Sequence, residues 1–294
     1  MSWWSQVAPG VGLPGHGGVY HLHPVGLANR FRAHPTCILL TDAIALALIV
    51  SGGYEGRSKL DYHALADDFD GQGTSFGLIQ WNFGQGTLGK LLLKMLQLDS
   101  AAFAGSFPEN TDYEKLKDAL LSSNIISQIE WAENIIRNNR IGWKKAFTAL
   151  GDVEAFQEVQ LREAARFHDN VEGCVIEMRR LFPSLMVRVE LRTYVALYDL
   201  CVQQGGLNRG KTLENIRIRL GSEKVNSQQD LLKICVHERA KTASRQWAAD
   251  CLSRRLGIIV GSSQAVELNG VNARRANANF HILEAYEGKH VCEI

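Results

Sequence analysis

Residues 51–92 read SGGYEGRSKLDYHALADDFDGQGTSFGLIQWNFGQGTLGKLL, and this stretch carries more unusual chemistry than the rest of the chain. One glutamate, Glu55, follows two glycines and a tyrosine. Aspartates cluster at 67, 68 and 70, and Gly-Gln-Gly-Thr-Ser and Gly-Leu-Ile-Gln-Trp-Asn runs come after them. Three readings compete: a metal loop, a nucleotide-binding glycine loop, and a catalytic carboxylate pair.

The metal loop fails on register. A calcium-binding EF-hand needs oxygen ligands at loop positions 1, 3 and 5, glycine at 6 and glutamate at 12. Counted from Asp68, glycine arrives at position 4 and position 12 is Ile79. The nucleotide reading rests on GQGTLG (84–89), which matches G-x-G-x-x-G and precedes a helix. A dinucleotide site also needs a βαβ unit with an acidic residue about 20 positions on. The residues there, FPENTDYEKLKD, read as a loop entering a helix. These glycines are therefore read as a tight turn before a helix.

The carboxylate pair fits best. Glycoside hydrolysis needs one protonated carboxyl to donate to the leaving oxygen and one ionised carboxylate to activate water. The two need different surroundings, so that one pKa rises while the other stays low. Glu55 follows a long apolar helix, where a hydrophobic wall would raise its pKa by desolvation. Asp70 lies in a glycine-flanked polar turn, where backbone N–H groups and water keep it ionised. Asp67 and Asp68 are read as turn or capping residues. Gln80 and Asn82 either bind sugar hydroxyls and N-acetyl groups or satisfy buried backbone. Tyr62, Trp81 and Phe83 form either a sugar-stacking wall or aromatic core. Arg57 is a candidate for holding a carboxylate of the substrate.

Outward from this stretch, the 294 residues suffice for one large domain or two modest ones. With 46% hydrophobic and 21% charged residues, the composition is that of a soluble globular protein. A net charge of +1 supplies no global attraction to nucleic acid. The cysteines at 37, 174, 201, 235, 251 and 292 make no C-x-x-C pair and read as reduced, structural core residues. The most apolar run, CILLTDAIALALIV (37–50), contains Asp42 and is too short to span a bilayer, so no membrane insertion is expected. MSWWSQVAPGVGLPGHGG lacks a basic n-region and an apolar h-region, so no signal peptide is expected.

Residues 1–35 are glycine- and proline-rich and read as a flexible or docking leader, with His16, His21 and His23 in linker sequence rather than a metal site. Beyond it, 36–294 reads as one mainly α domain. Helices are expected over 38–52, 87–99, 111–140 (with Thr111-Asp112 as cap), 152–182 and 185–206, followed by LENIRIRLG, SQQDLLKICVHERAKTASRQ and WAADCLSRRLGIIVG. FGLIQWNF and GIIVGSS are the candidate short strands or buried loops. No repeat of solenoid period is present.

A helix-borne Glu, then a β-like segment with Asp and Thr/Ser, then G-[LI]-[MI]-Q resembles the lysozyme-like hydrolases. TSFGLIQ (74–80) is similar to the S-x-G-L-M-Q element of lytic transglycosylases and goose-type lysozymes, and YHALADDFDGQGTSFGLI to the family 46 chitosanases. The resemblance implies an α+β lysozyme-like fold, a helical domain with a small β-hairpin or loop segment flanking the cleft, working without a cofactor. It implies Glu55 as general acid and Asp70 as general base, with Thr74 or Ser75 helping to hold the nucleophilic water. The Glu-to-Asp interval of 15 is shorter than in the typical chitosanase. That shorter form, with a long helical C-terminal part containing ALYDLCVQQGGL, resembles the muramidase effector domains of type VI secretion, some fused to spike proteins. The resemblance implies peptidoglycan as substrate, action in the periplasm of a target bacterium, a secretion spike component as partner and an immunity protein that occupies the cleft. Two rivals stay open: a lytic transglycosylase using Glu55 alone, and a non-catalytic cell-wall binding module.

Overall fold

Residues 43–50 are apolar on every face, and such a helix is stable only when other elements surround it. The computed structural model describes residues 37–54, 60–67, 71, 73–292 and 294. Its described part is mainly α with small β elements, the class expected from sequence. The 1–35 leader lies outside the described residues. These form two compact units, one comprising the residues up to Tyr54 and those from Ala165 on, the other Leu60–Ala164.

In the first unit, α1 (Leu40–Gly53) buries Ala43–Ser51 without interruption. It packs on α8 (Leu191–Gln204), buried from Thr193 to Cys201. Around α8 lie α7 (Phe167–Leu181), α10 (Gln228–Ala240) and α11 (Arg245–Val260), and α9 (Thr212–Leu220) packs on α10. Strand β1 (Cys37–Ile38) pairs in parallel with β7 (His290–Val291). That pairing brings Cys37 and Cys292 into a disulfide across 255 residues. The reading of all six cysteines as reduced is therefore corrected for this pair; the two thiols meet through a long-range parallel pairing that spacing along the chain does not reveal. Cys174, Cys201, Cys235 and Cys251 are free and buried, as expected.

The GIIV segment is the last turn of α11, which stops at Gly261 in the left-handed region, and not a strand. The strands come just after it, β5 (Ala265–Leu268) and β6 (Val271–Arg274), joined through Asn269 and Gly270, both at positive φ. An Asn-Gly pair is the usual two-residue hairpin turn because its backbone twist matches that of the strands. The short helix α12 (Phe280–Glu284) follows.

In the second unit, β2 (Leu65–Ala66), β3 (Ser75–Phe76) and β4 (Trp81–Asn82) form a small antiparallel sheet in that order. It leads into α2 (Thr87–Leu98), α3 (Ser100–Gly105), α4 (Asn110–Leu121), α5 (Ile125–Asp152) and α6 (Glu154–Ala165). The region 111–140, expected as one helix, is split at Ser122–Asn124, where the Asn124 side chain accepts from the Ile126 and Ser127 N–H groups. Thr111 and Asp112 lie in the first turn of α4 rather than capping it. The expected 152–182 helix is divided between α6 and α7. Within α5, Asn139 leaves helical geometry at φ −145°, ψ 54°, and its Oδ1 accepts from the Gly142 N–H at 3.0 Å, restarting the helix as an N-cap does. Edge-on and tilted rings run from Phe76 through Phe147, Trp131 and Phe107 to Phe103 and form the core of this unit.

Candidate functional site

The last turn of α1 presents backbone carbonyls to side chains, since a helix end has fewer helical donors than acceptors. Here side chains take them up. Asn279 Nδ2 donates to the Ile49 carbonyl and Asn277 Nδ2 to that of Val50, both at 2.7 Å. Arg275 donates to the Tyr54 carbonyl at 3.2 Å and to Asp250 Oδ1 at 2.6 Å. Gly53 admits this clamp: a Cβ there would stand 2.2 Å from Asn277 Oδ1.

Behind the clamp lies a buried charge cluster. Asp199, fully buried on α8, accepts from Arg254 at 2.7 Å and faces Arg255 Nε at 3.2 Å. Arg255 also donates to the Asp199 and Cys251 carbonyls. Burial pushes the Asp199 carboxyl up, but the Arg254 and Arg255 guanidinium groups prevail and hold it below the ordinary aspartate value. The Tyr54 ring lies 4.4 Å from the Arg254 guanidinium carbon, and its hydroxyl donates to the Arg254 carbonyl. Burial, with Asp199 adding to it, keeps that phenol neutral far above its usual range. Tyr54, the residue before Glu55, is thus fixed through its carbonyl, its ring and its hydroxyl. None of Asp199, Arg254, Arg255 or Asn277 was singled out from sequence; an aspartate inside the apolar run YVALYDLCV was the available signal.

The later half of the motif is fixed by neutral groups. Gly77 sits at φ +83°, and a Cβ there would meet Gln160 Oε1 at 2.5 Å, so glycine is required. Its N–H donates to the Ala64 carbonyl at 2.8 Å. Gln80, itself at φ +58°, donates from Nε2 to the Ala64 and Gly77 carbonyls. Asn82 Nδ2 donates to Ser75 Oγ at 2.9 Å, and its Oδ1 accepts from the Gln85 N–H at 3.2 Å. Thr87 Oγ1 closes the turn on the Asn82 backbone. Thr74 is fully buried, and its hydroxyl accepts from Trp143 Nε1 at 3.0 Å. Ser75 is half-buried.

Of the expected site residues, Glu55, Arg57 and Asp70 lie outside the described residues, as do Asp68 and the leader histidines. Ser75, Gln80 and Asn82 are brought together on β3, β4 and the turn between them, and Thr74 immediately precedes β3. Tyr62 is 7% exposed, with its ring among core residues and no hydrogen-bond partner for its hydroxyl among the described residues. Burial raises its pKa well above the phenol range. Phe83 is fully buried, edge-on to Trp131. Asp67 pairs with Arg140. His63 Nε2 lies 2.8 Å from Asp152 Oδ1, and the His63 N–H donates to Asp61 at 2.8 Å. Among the described residues no group of three or more His, Cys, Asp or Glu side chains is placed to hold a metal ion.

No family model and no curated protein matches the chain. Among solved structures it is similar to native chitosanase from Bacillus subtilis MY002, with TM-score 0.47 and 14% identity over 81% of this chain and 100% of that one. It is similar to a mutant of that chitosanase complexed with 6 GlcN, with TM-score 0.48 and 13% identity over the same shares. A third is chitosanase OU01 in co-crystal with substrate, with TM-score 0.47 and 16% identity over 81% of this chain and 97% of that one.

Proposed function

We propose that the chain is a glycoside hydrolase that cleaves the glycan strand of peptidoglycan, with Glu55 as general acid and Asp70 as general base. The observation that carries this reading is the motif itself: a glutamate shortly after a largely apolar helical run, then Asp-Gly-x-Gly-Thr-Ser fifteen residues on. On the sequence, this pattern would set two carboxyl groups in unlike surroundings, the requirement for acid–base cleavage of an acetal.

The frames on either side support it. The residue before Glu55 is held by an over-determined clamp, and an acid must be held in place to donate a proton at the right oxygen. After Asp70, Gly71 and Gly73 sit at φ +73° and +75°, a conformation that glycine adopts without steric cost. Ser75, which is half-buried and accepts from Asn82, is the better placed of the two hydroxyls to orient a water, since Thr74 is fully enclosed and engaged by Trp143. Gln80 and Asn82 shape the turn through the contacts described.

The reading includes a place of action. The Cys37–Cys292 disulfide suits an oxidising compartment, and the periplasm of a target bacterium is one. Delivery as an antibacterial effector, with a secretion spike component and a neutralising immunity protein as partners, completes the proposal.

The test is turbidity clearing of cell-wall suspensions by the full chain and two variants. Glu55→Gln and Asp70→Asn should each abolish clearing while leaving the thermal melt unchanged. Full lytic activity in Glu55→Gln would sink the assignment.

A further inference from the structure

Four thiols stand outside the disulfide, all buried, and two of them touch. Cys174 on α7 and Cys201 on α8 hold their Sγ atoms 3.6 Å apart. Cys174 also lines a cavity of about 410 Å³ within the first unit, together with Glu177, Gly206, Leu207, Arg209 and Arg239. Cys201 is fully enclosed behind it.

The two sulfurs are not equivalent. A hydrogen bond from the Cys201 thiol holds Cys174 below the ordinary thiol value, with the Leu207 N–H and the Arg239 charge adding to it against burial. Burial pushes Cys201 well above the usual range. Arg239 keeps its position by donating to the Gln204 and Gly206 carbonyls and to Thr242 Oγ1. A thiol at a cavity wall, in contact with a second thiol 3.6 Å behind it, is the arrangement of an exchange site with a resolving partner.

We propose that Cys174 is a thiol–disulfide exchange site, with Cys201 as its resolving partner, and that it takes a small anionic disulfide of the glutathione class through the cavity. The Cys174 thiolate attacks one sulfur of that disulfide, breaking its S–S bond and forming a mixed disulfide. The expelled thiolate takes up the proton that Cys174 released. Cys201 then gives up its proton as its sulfur displaces the second small thiol, which leaves with that proton. The protein dithiol loses two electrons and two protons, and the small disulfide becomes two thiols. The product is a second cross-link, between α7 and α8, closing a loop of 27 residues. Arg209 and Arg239 at the cavity suit the carboxylates of such a ligand.

The test treats the intact chain with oxidised glutathione and counts free thiols by alkylation and intact mass, followed by peptide mapping. The wild type should fall from four free thiols to two, with the peptides carrying Cys174 and Cys201 linked and no glutathione retained. Cys201→Ala should stop at one glutathione on Cys174, and Cys174→Ala should show neither product. Retention of all four thiols by the folded wild type, or a Cys174→Ala variant that still loses thiols or retains glutathione as Cys201→Ala does, overturns the proposal. If either variant fails to fold, the wild-type thiol count and peptide map decide it alone.

Discussion

Tyr54 is fixed from an ionic cluster sealed inside the first unit, whereas Thr74–Thr87 of the second unit is fixed by neutral hydrogen bonds backed by aromatic edges. The two anchors flank the same motif yet differ in what breaks them. A buried charge that loses its partner is left uncompensated in a medium that solvates it poorly, while a lost neutral hydrogen bond leaves only one dipole unsatisfied. The chain before Glu55 should therefore respond to substitution and to acid much more strongly than the turn after Asp70.

The sharpest way to break this contrast is Asp199→Ala, which strands Arg254 and Arg255. A loss of about 3–5 kcal/mol is expected in urea unfolding. A loss below that of the neutral-anchor variants would erase the difference between the two regions. The same residue sets an acid limb. Its folded-state pKa is depressed, so its contribution is full above the unfolded aspartate value of about 3.9 and is lost as pH falls through the lower native value. Wild-type melting temperature should drop steeply below about pH 4, and Asp199→Asn should flatten that drop.

Thr74→Val comes next. It leaves the buried Trp143 indole N–H without its acceptor, at about 1–3 kcal/mol by chemical unfolding. Asn82→Ala removes the bonds to Ser75 and to the Gln85 N–H and should cost about 1 kcal/mol. The smallest effect belongs to Asp67→Asn. Its pair with Arg140 is largely exposed, so about 0.2–1 kcal/mol is expected, fading as salt is raised. A larger loss that persists at high salt would mean that Asp67 belongs to the site and not to turn chemistry.

The helices were legible because apolar residues recur at their spacing, and residues 43–50 announced a buried helix by being apolar on every face. Helix breaks were less so. Asn124 and Asn139 interrupt periodic segments by capping through their own side chains, a choice that depends on neighbours such as Asp112, whose Oδ2 accepts from Asn139 at 3.0 Å. The Asn269-Gly270 hairpin was written in the sequence by its turn dipeptide, but the helical pattern running up to Val260 masked it. The disulfide and the Asp199–Arg254–Arg255 cluster depend on pairings across 255 and 55–56 residues, which no local window contains. Of the turn that holds Thr74, Ser75, Gln80 and Asn82, the glycines and polar residues were visible in the sequence, while Glu55, Arg57 and Asp70 lie outside the described residues. That Gln80 and Asn82 also hold the turn, and that Thr74 is enclosed, needed the packing.

The central claim is that two carboxyl groups, not one, carry the cleavage. Digestion of purified peptidoglycan by the full chain, with mass analysis of the released muropeptides, tests it most directly. The account predicts fragments with ordinary hydrated reducing ends, absent with Asp70→Asn; anhydro-muramic ends, or release that persists in Asp70→Asn, would contradict it.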